Sequence, residues 1–176
     1  MGPDGNLVPD GAIPVKLVEE IVWGMQWMDK MLDSTSLKLL DRVFSGYRFW
    51  GTPESETDNL PNTNDERPVT SSNGDRSSLA VIYARAALIL RHSNKQQLKQ
   101  KGVQYAKLAE RLYEETGGNL ATLLALSQAT RNRMYIDTAR NRVAEWKEQG
   151  ELGTHLPALA KFAILTRDKT LSGELK

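Results

Sequence analysis

Apolar residues recur every three or four positions through most of the chain, and no segment sustains the strict alternation of a half-buried strand, so the pattern predicts an all-α protein. A first helix runs from Pro14 to Leu32, with Val18, Ile21, Val22, Met25, Met28 and Leu32 on one stripe, and Asp33 to Ser36 breaks it. Ser36 is a natural N-cap for a second, Leu37 to about Trp50, carrying Leu39, Leu40, Val43, Phe44 and Tyr47 and ended by Gly51 and Pro53. A third, capped by Ser77 or Ser78, is LAVIYARAALILR, Leu79 to Arg91, expected to be the most buried of all. A fourth runs from about Lys95 to Glu115 and stops at Gly117-Gly118, where freedom at positive φ suits a helix end. Asn119 then caps LATLLALSQAT, apolar enough for the core. The segment that follows is either continuous with that helix or bent near Asn132, and ends at Gly150. Thr154 and Pro157 start a last helix, to about Lys169.

The expected architecture is a helical bundle of about five to seven helices with one long polar loop. Residues 1–13, rich in Gly, Pro and Asp turn combinations, read as a flexible linker, as though the chain were cut or translated from the end of a longer protein. Residues 14–170 form a single bundle domain, and 171–176 a C-terminal tail. Within the domain, 51–75 (GTPESETDNLPNTNDERPVTSSNGD) has few residues able to offset the entropy of ordering it and is expected to be a mobile acidic loop.

Charge changes this picture more than composition does. The formal net charge of the 176 residues is only +1, yet the signs are separated along the chain. Residues 1–75 hold 6 Lys/Arg against 13 Asp/Glu, residues 76–147 hold 13 against 5, and residues 148–176 hold 4 against 4. The middle is basic. There is no cysteine, which excludes disulfides and thiolate chemistry and suits a reducing compartment, so a cytoplasmic location is expected. No run approaches the ~20 apolar residues of a membrane span.

Two helices carry the basic character. Along the fourth, Leu98, Tyr105, Leu108, Ala109 and Leu112 mark the buried side, leaving Lys95, Gln96, Lys99, Gln100, Lys107 and Arg111 outward. Cations interleaved with amides are what a groove tracking a phosphate backbone needs, although a Lys/Gln run is more often a solvated face. The second is QATRNRMYIDTARNRVAEWK, with four arginines in twelve residues. In a straight helix Ile136, Ala139, Val143 and Trp146 fall on one core-facing stripe about 80° wide. Arg131 and Arg142 then share one flank with Tyr135 and Thr138, a set suited to phosphate and base contact. Arg133 and Arg140 lie on the opposite flank with Asp137, which can neutralise them. The candidate nucleic-acid contacts are therefore Lys95, Lys99, Lys107, Arg111, Arg131 and Arg142, with Gln96, Gln100, Tyr135, Arg133 and Arg140 as additional ones. No helix-turn-helix, zinc-finger or RNA-recognition signature is present, so contact would be independent of base sequence.

Catalysis has no visible support. His92 and His155 read as helix-terminal residues without a partner, and HExxH, GxxxxGK[ST], GxGxxG and GxSxG are all missing. No catalytic residue, metal site or cofactor is expected. Tyr47, Phe49 and Trp50 in SGYRFWG read as a cover over the bundle end or, if exposed, as a stacking or subunit contact.

The stretches VPDGAIPVKLVEEIVWGMQWM, LKQKGVQYAKLAERLYEE and TRNRMYIDTARNR, in a helical chain with a linker-like start and an acidic loop, resemble the small subunit of CRISPR Cascade-type effector complexes. More narrowly, the chain is similar to the C-terminal helical segment of the type I-D large subunit, which in that family can be made separately by internal translation. The resemblance implies a non-enzymatic subunit lining the complex beside other subunits and further copies of itself. It would stabilise guide RNA with target DNA, or the displaced strand, through basic surfaces, with guide pairing supplying specificity. The near-neutral net charge departs from a dedicated nucleic-acid binder. A protein-only scaffold or adaptor, whose acidic and basic regions bind each other between copies, is the alternative.

Overall fold

The computed structural model describes residues 14–42, 69–72, 74–168 and 171. Among these, six α-helices dominate, as the periodicity predicts: α1 (Val15–Met31), α2 (Arg76–Arg91), α3 (Gln96–Thr116), α4 (Leu120–Thr130), α5 (Arg133–Gln149) and α6 (Leu156–Thr166). A 3-10 turn, Leu152–His155, precedes α6, and β1 (Leu32–Asp33), β2 (Lys38–Arg42) and β3 (Val69–Ser72) form a small sheet. The chain divides into two compact units, one comprising Met1–Gln26 and Asp75–Lys176, the other Trp27–Gly74.

The first unit is built on an antiparallel hairpin of α2 and α3. Near the turn, Gly102 lies against Ala87 and Leu90; further along, the Tyr83 and Tyr105 rings meet at 5.3 Å; at the far end Arg76 faces Glu115 at 4.0 Å. Close approach follows from small side chains. Ala80, Ala84 and Ala87 are fully buried on α2, and a Cβ on Gly102 would lie 3.1 Å from the Ala87 carbonyl oxygen. Asp75, rather than Ser77 or Ser78, caps α2: its carboxylate accepts from the Ser78 amide at 3.0 Å, and bonding to Ser78 pulls its pKa below the ordinary value.

The core centres on α4, where seven of eleven residues are buried against seven of sixteen in α2. The short helix, not the one from Leu79 to Arg91, is therefore the more buried, because α2, α3, α5 and α6 all pack on it. Asn119 and Thr122 close a reciprocal capping box at its start. α3 ends at Gly117, at φ 65°, and α5 at Gly150, at φ 74°, where an L side chain is disfavoured. On α5, Ala139 and Val143 face inward, and Trp146 stacks on His155 at 3.7 Å.

In the second unit Lys38–Arg42, the start of the predicted helix from Leu37 to Trp50, is a strand instead, and the rest of that helix lies outside the described residues. The Asp33 carboxylate accepts from the Thr35 amide at 2.9 Å and the Ser36 hydroxyl at 2.6 Å, folding residues 34–37 into a turn. Leu32 then pairs with Leu39 and Asp33 with Lys38. β2 in turn pairs antiparallel with β3, Leu39 opposite Ser72 and Arg42 opposite Val69, so four residues of the expected loop are strand. The aromatic group Tyr47, Phe49 and Trp50 lies outside the described residues, as does most of the acidic segment.

Candidate nucleic-acid interface

α3 owes its polarity to two stripes. Tyr105, Ala109, Leu112 and Gly102 are buried, while Gln96, Gln100, Gln104, Lys107 and Arg111 are exposed. At 100° per residue those five fall within an arc of about 80° opposite the buried stripe. Lys99 is exposed about 60° outside this arc, on the side of the exposed Val103. Gln104 belongs to the face although its neighbours alone were singled out from sequence. From Lys99 to Arg111 the face extends about 18 Å along the helix, the length of about five phosphates on one strand. Glu114, and the Arg76-paired Glu115, close it toward the C-terminal end.

The other predicted contacts divide. Lys95 is the N-cap of α3 and lines a groove of about 470 Å³ with Val15, Val18, Val22, Trp23 and Leu98, away from the Lys107 face. Arg142 donates to the Gly118 carbonyl at 3.0 Å and to that of Gly117 at 3.5 Å, so its guanidinium serves the end of α3, some 30 Å along the axis from Lys95. Arg140 is ion-paired with Asp137 at 2.9 Å, the neutralisation its spacing predicts. Tyr135 is buried, donates its hydroxyl to Glu110 at 3.0 Å and packs edge-on against Tyr113 at 5.5 Å. Burial first, then the Glu110 bond and charge, push its pKa well above the ordinary tyrosine value, and the ring is not available for base stacking.

The shared flank of Arg131 and Arg142 requires a straight helix, and the chain breaks there. Arg131 is the C-cap of α4 at φ 59°, Asn132 caps α5 by accepting from the Met134 amide at 3.0 Å, and Arg133 opens α5. Arg131 and Arg133 consequently lie together, exposed, at one pocket with His92. Among the described residues no cluster of three or more His, Asp or Glu could hold a metal ion, and no helix is long and apolar enough to cross a membrane. No known protein family, curated protein or solved structure matches the chain.

Proposed function

We propose that the chain is a non-enzymatic, nucleic-acid-associated helical subunit whose α3 face tracks a phosphate backbone, acting in the cytoplasm within a Cascade-type RNA-guided DNA surveillance complex. The observation that carries it is the exposed run of amides and cations on α3, from Gln96 to Arg111, set opposite that helix's buried stripe. Lys99 and Lys107 are exposed and have no ion pair among the described residues, so their charge is available to displace counterions. The place in an RNA-guided complex, alongside other subunits, further copies, guide RNA and target or displaced DNA, rests on the resemblance of the sequence stretches alone.

The test is fluorescence anisotropy of a labelled single strand at several salt concentrations. Three cations, Lys99, Lys107 and Arg111, predict that log affinity falls against log salt with a slope of about −2, at about 0.7 per phosphate on a single strand. Lys107→Glu with Arg111→Glu reduces the slope to about −0.7 or abolishes binding. Wild-type protein that leaves the strand free at low salt removes the support for phosphate contact.

A scaffold without nucleic acid has its own observation in favour, the groove along α1, whose Trp23 is 71% exposed. It predicts self-association or capture of a partner helix at low salt with no nucleic acid present, read by sedimentation velocity; a strict monomer there counts against it.

A further inference from the structure

Of the four clustered arginines, Arg140 is held by Asp137 and Arg142 by the Gly117 and Gly118 carbonyls. Among the described residues the guanidiniums of Arg131 and Arg133 have no hydrogen bond or ion pair to a protein acceptor, and the break between α4 and α5 brings both residues to one pocket of about 330 Å³. His92 and Asn132 also line it, and no carboxylate does among the described residues. Gln128, another lining residue, has a buried amide nitrogen with no acceptor among the described residues. A buried donor left unmade costs free energy that a bound acceptor recovers. Leu88, Ile136 and Leu165 supply an apolar patch beside these donors.

Arg131 holds a left-handed backbone, φ 59° and ψ 18°, at a position where helices usually place glycine. Arg167 does the same at the end of α6, so the conformation alone singles out nothing. What distinguishes Arg131 is that it lines the same pocket as Arg133, with no acid among the described lining residues, at the positive end of α5.

We infer that this pocket binds a terminal phosphate, a phosphomonoester whose dianion is held by Arg131 and Arg133 and whose attached organic group rests on Leu88, Ile136 and Leu165. Two planar guanidiniums match the geometry of phosphate oxygens, and a volume near 330 Å³ stands at the lower end of small-molecule sites. The site is separate from the α3 face, since its cations come from the α4–α5 junction.

Titration calorimetry with inorganic phosphate and then with a nucleoside 5′-monophosphate tests it on the full chain. Saturable binding of the monophosphate is expected, weakened about tenfold or more by Arg133→Gln and by Arg131→Gly, and unchanged in Lys107→Glu. Arg131→Gly suits the left-handed backbone, so it removes the guanidinium without threatening the fold, and circular dichroism confirms this for both variants. Tighter binding of a 5′-phosphorylated than a 5′-hydroxyl oligonucleotide would identify a strand end as the source of the phosphate; equal binding of the two, with the monophosphate still held, would identify a free small molecule. Absence of saturable binding to phosphate and monophosphate alike, or binding that survives both arginine substitutions, overturns the inference.

Discussion

Arg142→Gln separates a structural arginine from a nucleic-acid contact. In the folded chain the guanidinium donates at 3.0 Å to the Gly118 carbonyl and at 3.5 Å to that of Gly117, just past the last turn of α3. A hydrogen bond from a charged donor contributes about 1.5–3 kcal/mol, with the lower end appropriate to a half-buried side chain whose acceptor water can reach. The contact at 3.5 Å adds little. A cation at the negative end of a helix contributes about 0.3–1 kcal/mol more. Together these give about 2 kcal/mol. With a urea m-value of about 2 kcal/mol per M, the unfolding midpoint followed by the helical circular dichroism signal should fall by about 1 M, with m unchanged. Single-strand affinity and its salt slope should stay as in the wild type. A midpoint within about 0.25 M of wild type, together with a salt slope reduced by about 0.7, would refute the assignment and return Arg142 to the phosphate-contacting set.

Three further outcomes follow from packing and protonation. Gly102→Val places side-chain atoms against the Ala87 carbonyl and the Arg91 amide, backbone that cannot swing away, and should lower stability by about 2 kcal/mol; an unchanged melting temperature would mean that α2 and α3 are not in this contact. Gln128→Met removes the buried amide without an acceptor and should raise stability by about 1 kcal/mol in phosphate-free buffer, whereas a loss would show that the amide is bonded. Because the folded pKa of Tyr135 is raised above its ordinary 10.0, its contribution is complete below pH 10 and declines as pH rises beyond that, the unfolded phenol ionising first. Tyr135→Phe should therefore lose less stability than wild type between pH 9 and pH 11, and identical losses in urea titrations would contradict the burial of this hydroxyl.

Local chemistry makes most of the helices legible in the sequence. Gly117, Asn119 and Gly150 punctuate the chain where positive φ or a side-chain acceptor is needed, and each occupies the cap its residue type suggests. The strand Lys38–Arg42 was not legible, because five residues do not distinguish a period of 2 from one of 3.6 and its partner, Val69–Ser72, lies in a segment too polar to read as strand. Its signal was Asp33 followed by Thr35 and Ser36, which reads equally as a helix cap and as a turn. On α5, the wheel places Tyr135 on the flank of Arg131 and Arg142, yet only about 20° beyond Trp146, close enough to the core stripe for the ring to be buried. The arginines were separable by charge arithmetic only where a partner is local, as Asp137 is for Arg140. The partner of Arg142 is a pair of carbonyls 24 and 25 residues away, and only tertiary structure brings them together.

Lysine footprinting tests the α3 face most directly. The protein is acetylated under limiting reagent with and without a single-stranded oligonucleotide at low salt, and modification is read by mass spectrometry at each lysine. Lys99 and Lys107 should be protected by the strand and regain reactivity as salt is raised, while Lys161, exposed on α6, stays equally reactive throughout. Protection of Lys161 with Lys99 and Lys107 unchanged, or no protection anywhere, would contradict the α3 face as the site of phosphate contact.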